Sequence, residues 1–335
     1  MIQNKSFFEQ LQNTDGLDLR DNRGLVHDMA LVIIGVVLAL LSNRDGKLSS
    51  IQRHMKNNHD KLTKSLNVES EKAVSRSQLP LILAKIDLGI FQQLLFVNYG
   101  LILSDLQRAW FSVDGKELRG SIQKGNKRGE AIIQAVSHQG RTVVAQSYYN
   151  GVKESEIPAT RKLLEDNGLD KQKTTLDALH LNPETLRQIN KEGVYLVGLK
   201  ENQRELLEDC QDTHRFCKPN FSFTQLPALK DKHGRDETRT YEVYDISKQE
   251  KHKRWSVCKI DTLIVVKRVF IKIDTKVKSS ETSYYISNQC DNYLELSLAV
   301  RGHWNVETNN YIRDVVFSED KLKSKKRNIA SHECP

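Results

Sequence analysis

Two acidic residues follow short apolar segments that are typical of β-strands. Asp114 comes directly after the segment WFSV, and Asp177 comes directly after the segment KTTL. In a sheet with parallel strands, ligands gather beyond the carboxyl ends of the strands, so the two acids would converge there if their strands are neighbours. Carboxylate oxygens are the ligands that Mg²⁺ prefers, and the ion keeps positions for water and phosphate oxygens. The pair is therefore a candidate divalent-cation site.

A third acidic ligand would have to come from elsewhere in the chain, and Glu307 in a later helical segment is the best candidate. Each aspartate also has an ordinary interpretation, because aspartate is common in turns and helix caps. Other acids are plentiful, namely Glu154, Glu156, Asp314, Glu319 and Asp320. On spacing alone, catalysis and local capping both stay open for Asp114 and Asp177.

The charge of the chain points to a polyanionic partner. Its 335 residues carry a formal net charge of +8, with a pI near 9.1 and 38% apolar residues. Such a balance favours nucleic acid, although a basic protein without that partner fits the charge equally well. The five cysteines are odd in number and irregularly spaced, which argues against a disulfide framework and fits a reducing cytoplasm. The longest apolar run, Met29 to Leu41, is too short to span a bilayer and predicts a buried core helix.

Hydrophobic periodicity divides the chain into four segments. Residues 1–105 have helical spacing, with long helices expected at 25–43 and 49–66, and predict an all-helical N-terminal domain. Residues 106–200 show the order three strands, helix, strand, helix, strand, which indicates a mixed α/β sheet. Residues 201–290 indicate a β-rich insertion. Residues 291–335 return to helical spacing, continuous over 292–317, and end in the basic tail KLKSKKR.

Five motifs, in this order along the chain, resemble those of DDE transposases of the ISAs type, the H-repeat-associated insertion-sequence proteins. FSVDGKELRGS is similar to the family's first-aspartate motif, and TTLDALHLNPETLRQI is similar to its second-aspartate segment. RGHWNVETNN resembles the motif that holds the third acid, and two further motifs are GVKESEIPATRKLLEDNGL and GVYLVGLKENQREL. The spacing of Asp21, Arg23 and His27 also resembles the family's N-terminal helical domain. The resemblance covers nearly the whole chain.

This resemblance implies a ribonuclease-H-like mixed-sheet core with a β-rich insertion, preceded by the helical domain. Asp114, Asp177 and Glu307 would be the catalytic residues and would hold two Mg²⁺ ions, for which Mn²⁺ could substitute. The implied activity is that of a DNA transposase and endonuclease: nicking at the ends of an insertion sequence, then strand transfer. The partner would be double-stranded DNA, at terminal inverted repeats and target sites, and the complex could contain a homodimer. We expect a cytoplasmic protein that associates with the nucleoid through DNA and has no membrane partner.

Other residues of the motifs could contact DNA. Lys116 and Arg119 could hold phosphates of the scissile strand, or belong to a solvated turn. Trp304 could stack on a base or lie in the core, and His180 is expected to be structural. The remaining candidates for DNA contacts are Lys200, Asn202, Gln203, Arg301 and His303. No role follows from chemistry for two further motif residues, Lys153 and Glu156.

The segment after Glu307 departs from the family pattern. Thr308 stands where the family has asparagine, the second HW pair of the family is missing, and the segment is one residue shorter. One deleted residue rotates the rest of a helix by about 100°. The chain also stops where family members continue with a further helix. The alternative hypothesis is a truncated, catalytically inactive DNA-binding remnant or regulator with the same fold; a nuclease that nicks without joining strands is another.

Overall fold

The computed structural model describes residues 6–21, 23, 25–43, 46–98, 109–122, 125–226, 235–317 and 319–321. As far as these residues show, the chain divides into two compact units. One contains the chain up to Asp105 with Glu117–Glu130 and Asn310–Pro335, and the other contains Leu106–Lys116 and Ala131–Asn309. Most of the predicted basic tail and Cys334 lie outside the described residues.

The N-terminal part of the first unit is helical. Its helices are α1 (Phe7–Gln12), α2 (Met29–Asn43), α3 (Leu48–Asn57), α4 (His59–Leu66), α5 (Leu79–Leu83) and α6 (Leu88–Asn98). Helix α2 is the predicted core helix, and most of its first turns are buried against α1, α3, α5 and α6. No helix in the described part of the chain is long and apolar enough to cross a membrane.

The single helix predicted over residues 49–66 is wrong, because the structure has two helices that are separated at Asn58. The Asn58 backbone leaves helical geometry, at φ −111° and ψ 8°. Its side-chain amide donates to the carbonyl of His54, at 2.9 Å, in addition to its backbone N–H, and so caps the end of α3. Asparagine competes with the helix in this way because its short amide reaches nearby backbone groups.

Nine strands of the described chain form one mixed sheet in the order β3-β2-β1-β4-β5-β9-β8-β7-β6. The strands are β1 (Trp110–Glu117), β2 (Glu130–Ser137), β3 (Val143–Asn150), β4 (Lys173–Leu176), β5 (Val194–Leu199), β6 (Phe221–Gln225), β7 (Arg235–Asp245), β8 (Thr262–Lys272) and β9 (Lys278–Ser287). Strands β1, β4 and β5 are parallel, whereas β9, β8, β7 and β6 follow in antiparallel pairing. The predicted mixed sheet is confirmed, and the β-rich segment continues the same sheet.

The α-helices that follow β3 along the chain are α7 (Glu156–Asp166), α8 (Pro183–Ile189), α9 (Arg204–Phe216), α10 (Tyr293–Gly302) and α11 (Trp304–Val315). Helix α8 connects the parallel strands β4 and β5, and it begins as its sequence predicts. The Asn182 side chain accepts a hydrogen bond from the Glu184 N–H, at 2.9 Å, and Pro183 occupies the first turn.

Helix α10 packs on one face of the sheet. Ala299 and Val300 of this helix share a buried apolar cluster with Leu196 of β5 and with residues of β7 and β8. In the parallel ladder Thr175 pairs with Ser112 on one side and Leu196 on the other, so these three side chains share the face that α10 covers. Their sequence neighbours Phe111, Thr174 and Tyr195 point to the opposite face.

The helical run predicted over residues 292–317 is interrupted at His303, between α10 and α11. The hydroxyl of Ser112 donates to the carbonyl of Gly302, at 2.9 Å. The Val306 N–H, which an uninterrupted helix would direct to the Gly302 carbonyl, donates to the His303 carbonyl instead. The axis of the run is therefore broken one turn before Glu307.

Candidate active site

The strand register brings the two predicted aspartates together. Val113 of β1 pairs with Leu176 of β4, so Asp114 lies beside Asp177. The predicted end of the first strand at Asp114 is wrong: β4 ends at Leu176, but β1 continues through Asp114 to Glu117, where it borders β2 on its other side. Neighbouring strands lie about 4.8 Å apart. Asp177 also caps a 3₁₀ turn, Ala178–His180, because its carboxylate accepts the Leu179 N–H at 2.9 Å. Asp177 therefore caps a turn and also lies at the carboxyl end of β4, next to Asp114.

Asp114 lies in a strongly perturbing environment. Burial, the charge of Asp177 and the charge of Glu156 together raise the pKa of Asp114 from 3.8 to about 7. The Gly115 N–H and the nearby His180 oppose the shift but do not cancel it. A carboxylate that is held near other carboxylates in this way favours a bound cation, which would relieve the repulsion.

The raised pKa of Asp114 predicts a pH-dependent stability in metal-free buffer. The folded protein binds this proton more tightly than the unfolded chain, so the stabilising contribution is complete below 3.8 and is lost as the pH rises through about 7. We expect Asp114→Asn to be more stable than the wild type at about pH 8, and the difference to shrink toward about pH 5. Urea unfolding in the presence of EDTA measures this; equal pH profiles for both proteins would contradict it.

Glu156, for which the sequence offered no role, lies beside Asp114. It is the first residue of α7, directly after the turn that follows β3. A side chain built on Gly115 would run into the carboxyl group of Glu156, so the glycine lets this carboxylate lie against the backbone next to Asp114. Tyr149 donates its hydroxyl to Glu156 at 3.4 Å. In the sequence, the motif KESEIP was the signal that could have pointed to Glu156. The proximity of Glu156 to Asp114, however, depends on how β3 and α7 pack.

His180 lies between two of these carboxylates. It is fully buried, and its Nε2 is 3.2 Å from Oε1 of Glu156 and 3.8 Å from Oδ1 of Asp177. Burial would raise the pKa of Glu156, but the hydrogen bond and charge of His180, with the hydrogen bonds from Tyr149 and the Gly115 N–H, hold that pKa below its ordinary value. The buried ring of His180 therefore lies between the carboxylates of Glu156 and Asp177 and separates them.

Glu307 is in the first turn of α11 and is exposed. Partial burial and the charge of Asp177 raise its pKa, while Lys200 acts in the opposite direction. Asp177 thus interacts with Asp114 on one side and with Glu307 on the other. Among the described residues, no three His, Cys, Asp or Glu side chains converge closely enough, as they stand, to hold a metal ion. The chemistry of the donor set suits Mg²⁺, but the side chains would have to draw together around it.

The basic residues after Asp114 differ in accessibility. Lys116 is only 9% exposed, whereas the side chain of Arg119 is 75% exposed. Arg119 belongs to the first unit, where its Nε is 3.8 Å from Oδ2 of Asp320. Lys200, directly after β5, is exposed at the sheet edge, and Lys153 is exposed in the turn before α7.

Asn202 and Gln203 use their amide N–H groups inside the protein. The Asn202 amide donates to the Ala178 carbonyl at 2.7 Å, and the Gln203 amide donates to the Leu181 carbonyl at 3.1 Å. Both bonds tie the turn after β5 to the segment that follows Asp177. These side chains therefore support the loop that carries Asp177; the DNA contacts predicted for them stay a prediction.

Arg301 and Trp304 are both exposed near the break between α10 and α11. The Arg301 guanidinium donates to the side chain of Gln225 at 3.4 Å. Trp304 is 45% exposed, so it does not lie in the core. The guanidinium of Arg268 lies over its ring, 5.7 Å from the centroid.

His303 is partly buried, between the exposed side chains of Arg301 and Trp304. Its Nδ1 is 3.1 Å from Oγ1 of Thr175, and Nε2 of His138 is also 3.1 Å from that oxygen. Burial lowers the pKa of each histidine to about 4; the charge of the other histidine adds to this for His138. Both rings are therefore neutral at physiological pH.

The chain is similar to three proteins of Escherichia coli. It is 30% identical over 225 residues to "Putative protein YbfL" of strain K12 and 29% identical over 225 residues to "H repeat-associated putative transposase YhhI" of the same strain. It is 27% identical over 227 residues to "Putative transposase YncI" of O157:H7. Each alignment covers 65% of this chain and 57–59% of the relative, so the chain spans less than two thirds of these proteins. No family model and no solved structure matches the chain. The relatives confirm the predicted resemblance to H repeat-associated transposases, over 65% of the chain rather than nearly all of it.

Proposed function

We propose that this chain, a relative of the H repeat-associated proteins of Escherichia coli, is a DNA transposase that cleaves and joins DNA strands with divalent cations at Asp114, Asp177 and Glu307. The observation that carries the proposal is the register of β1 and β4, which puts Asp114 beside Asp177 at the carboxyl end of β4. The names of two relatives support the class of activity. The mixed sheet with packed helices is consistent with a ribonuclease-H-like core.

The residues of the site suit Mg²⁺ because they are carboxylates, whose oxygens this ion prefers. Their side chains do not already form a closed coordination site. Asp114, Asp177 and Glu307 would hold the two ions, and Mn²⁺ would serve in the same positions. The chemistry that such ions supply to phosphoryl transfer is charge neutralisation and Lewis-acid activation. Lys200 lies within electrostatic reach of Glu307 and would attract a phosphate of the strand to be cut. Asn202 and Gln203 would keep the segment after Asp177 in place during the reaction.

The proposal is tested with a supercoiled plasmid that carries the DNA flanking the gene. The expected result is nicking in the presence of Mg²⁺ or Mn²⁺ and none in EDTA, followed by joining when pre-cleaved ends are supplied. Nicking without joining would select the nuclease alternative. Binding of DNA without cleavage in either cation would overturn the enzymatic proposal and select the inactive DNA-binding remnant.

The inactive remnant is a second candidate function, and the segment after Glu307 favours it. Thr308 donates its hydroxyl back to the Trp304 carbonyl, at 2.9 Å, and so forms a bond within α11 where the family pattern has an asparagine side chain. Such a remnant would still bind DNA through its basic surface. A homodimer in the DNA complex stays a prediction for either candidate.

DNA binding predicts a strong dependence on salt, because each lysine or arginine that meets a phosphate releases counterions. We expect affinity to fall at least about tenfold between about 50 mM and about 200 mM salt, which two such contacts already produce. Lys200→Ala should reduce the slope of log affinity against log salt by about one. Lys162→Ala is the matched control, since Lys162 is exposed and paired with Asp166 on α7. Fluorescence anisotropy measures both; a flat response would remove nucleic acid as the main partner.

A further inference from the structure

A buried hydroxyl connects three elements next to the candidate active site. Oγ1 of Thr175, on β4, is 3.1 Å from Nε2 of His138 and 3.1 Å from Nδ1 of His303. The same oxygen is 3.2 Å from the carbonyl oxygen of Phe111, on β1. His138 follows β2, and His303 lies between α10 and α11. Thr175 itself is 1% exposed and stands two residues before Asp177.

Only one arrangement of protons makes all three contacts hydrogen bonds. A hydroxyl has one proton and two acceptor lone pairs, whereas a carbonyl oxygen can only accept. The Thr175 hydroxyl must therefore donate to the Phe111 carbonyl, and both imidazoles must donate to Thr175 Oγ1. His138 then carries its proton on Nε2 and His303 carries its proton on Nδ1. The low pKa of each histidine agrees with this, since a neutral ring has a single N–H.

Further hydrogen bonds hold the same junction. Ser112 donates to the Gly302 carbonyl at 2.9 Å, and the Asn305 amide donates to the His138 carbonyl at 2.9 Å. Each of them joins the sheet, or the turn after β2, to the break between α10 and α11. Glu307 lies on α11 one turn after His303. The position of this break therefore fixes the position of the Glu307 carboxylate relative to Asp177.

We infer that Thr175 is a positioning residue for the third acid. By accepting hydrogen bonds from His138 and His303, it holds the start of α11 in place, and so fixes the position of Glu307 relative to Asp177. This inference rests on the proposed function. It gives His303 a role inside the protein, because an imidazole whose only proton is bonded to Thr175 has no N–H left for a phosphate. The phosphate contact predicted for His303 from its motif would then require another tautomer.

The first test is a measurement on the unmodified protein. Long-range ¹H–¹⁵N spectra of histidine side chains distinguish the two neutral tautomers, and we expect protonated Nε2 for His138 and protonated Nδ1 for His303. The opposite tautomer for either ring would overturn the inference. This readout needs no activity, so it separates failure of the inference from failure of the proposed function, which would appear as absence of cleavage by the wild type.

The second test compares three variants of β4. Thr175→Val removes the hydroxyl at nearly constant volume and should slow Mg²⁺-dependent nicking by about 100-fold, the loss expected from a misplacement of about 1 Å. Thr175→Ser keeps the hydroxyl and should retain most of the activity. The matched control is Thr174→Val, because Thr174 is equally buried and donates to the Leu169 carbonyl on the opposite face of the sheet.

All rates are normalised to the folded fraction, which is measured by circular dichroism. The expected pattern is a rate loss in Thr175→Val alone, with DNA affinity unchanged and with altered tautomer signals of both histidines. Equal normalised rates for Thr175→Val and Thr174→Val would overturn the positioning role. So would unchanged histidine signals in Thr175→Val. If Thr175→Val does not fold, the tautomers of the wild type and the activity of Thr175→Ser still decide the question.

Discussion

Asp114→Asn and Asp177→Asn are each expected to abolish the proposed Mg²⁺- or Mn²⁺-dependent nicking of DNA and to leave DNA binding largely intact. The two residues lie side by side because Val113 pairs with Leu176, and each substitution removes one carboxylate charge from the cation site. Metal ions supply several kcal/mol of transition-state stabilisation, so we expect a rate loss of at least about 1,000-fold. The measurement is conversion of supercoiled plasmid to the nicked form.

The asparagine variants separate catalysis from structure. Asparagine caps a helical turn as well as aspartate does, so Asp177→Asn keeps the hydrogen bond from the Leu179 N–H. Asp114→Asn relieves the repulsion that raises the pKa of this group and should not weaken the fold. Asp166→Asn on α7 is the matched control, because that carboxylate is exposed and paired with Lys162. Cleavage at the wild-type rate by either site variant would exclude that aspartate from the reaction.

Gly302→Ala is expected to destabilise the second unit and to slow nicking together. Gly302 is the last residue of α10, and a Cβ atom there would overlap the imidazole of His138. Alanine normally stabilises a helix by up to about 1 kcal/mol relative to glycine, so a loss of stability would report the clash rather than helix propensity. Overpacking of this kind costs about 1–3 kcal/mol. Urea unfolding measures the loss, and the displaced α11 should carry Glu307 away from Asp177.

A double variant identifies the cause of that loss. His138→Ala in the Gly302→Ala background removes the ring that the new methyl group would meet. The destabilisation of the double variant should then be smaller than the sum for the two single variants, which is the coupling that a double-mutant cycle measures. Additive losses would mean that the two residues do not collide, and the packing described for the end of α10 would be incorrect.

Much of the secondary structure follows from local sequence signals. The apolar runs at 109–113, 131–137 and 142–149 predict three neighbouring strands, and the structure places β3, β2 and β1 side by side in that order. The helix that begins at Pro183 is predicted by Asn182, whose side chain caps it. Errors occur at Asp114, where β1 continues to Glu117, and at Asn58 and His303, where helices end that periodicity alone extends and where side-chain hydrogen bonds take up helix carbonyls.

The residues of the candidate site also fall into two groups: those that sequence motifs indicated and those that only folding brought together. Asp114, Asp177 and Glu307 stand within motifs that can be recognised along the chain. Their proposal as a set, and the relation to H repeat-associated proteins, therefore came from these motifs alone. The sequence also showed that the chain is basic, which fits nucleic acid but does not by itself distinguish it from other partners.

Folding adds the contacts between residues that are distant along the chain. Glu156 reaches Asp114 because Gly115 lacks a side chain, and His180 separates two carboxylates because a buried ring lies between β4 and α7. Thr175 joins His138 to His303 only through the register of the sheet and the packing of α10. Periodicity describes which face a side chain occupies, whereas these hydrogen bonds and electrostatic shifts depend on distances of a few ångströms across separate elements. For that reason the motifs supply the candidate acids, and the packed sheet determines how their side chains are held.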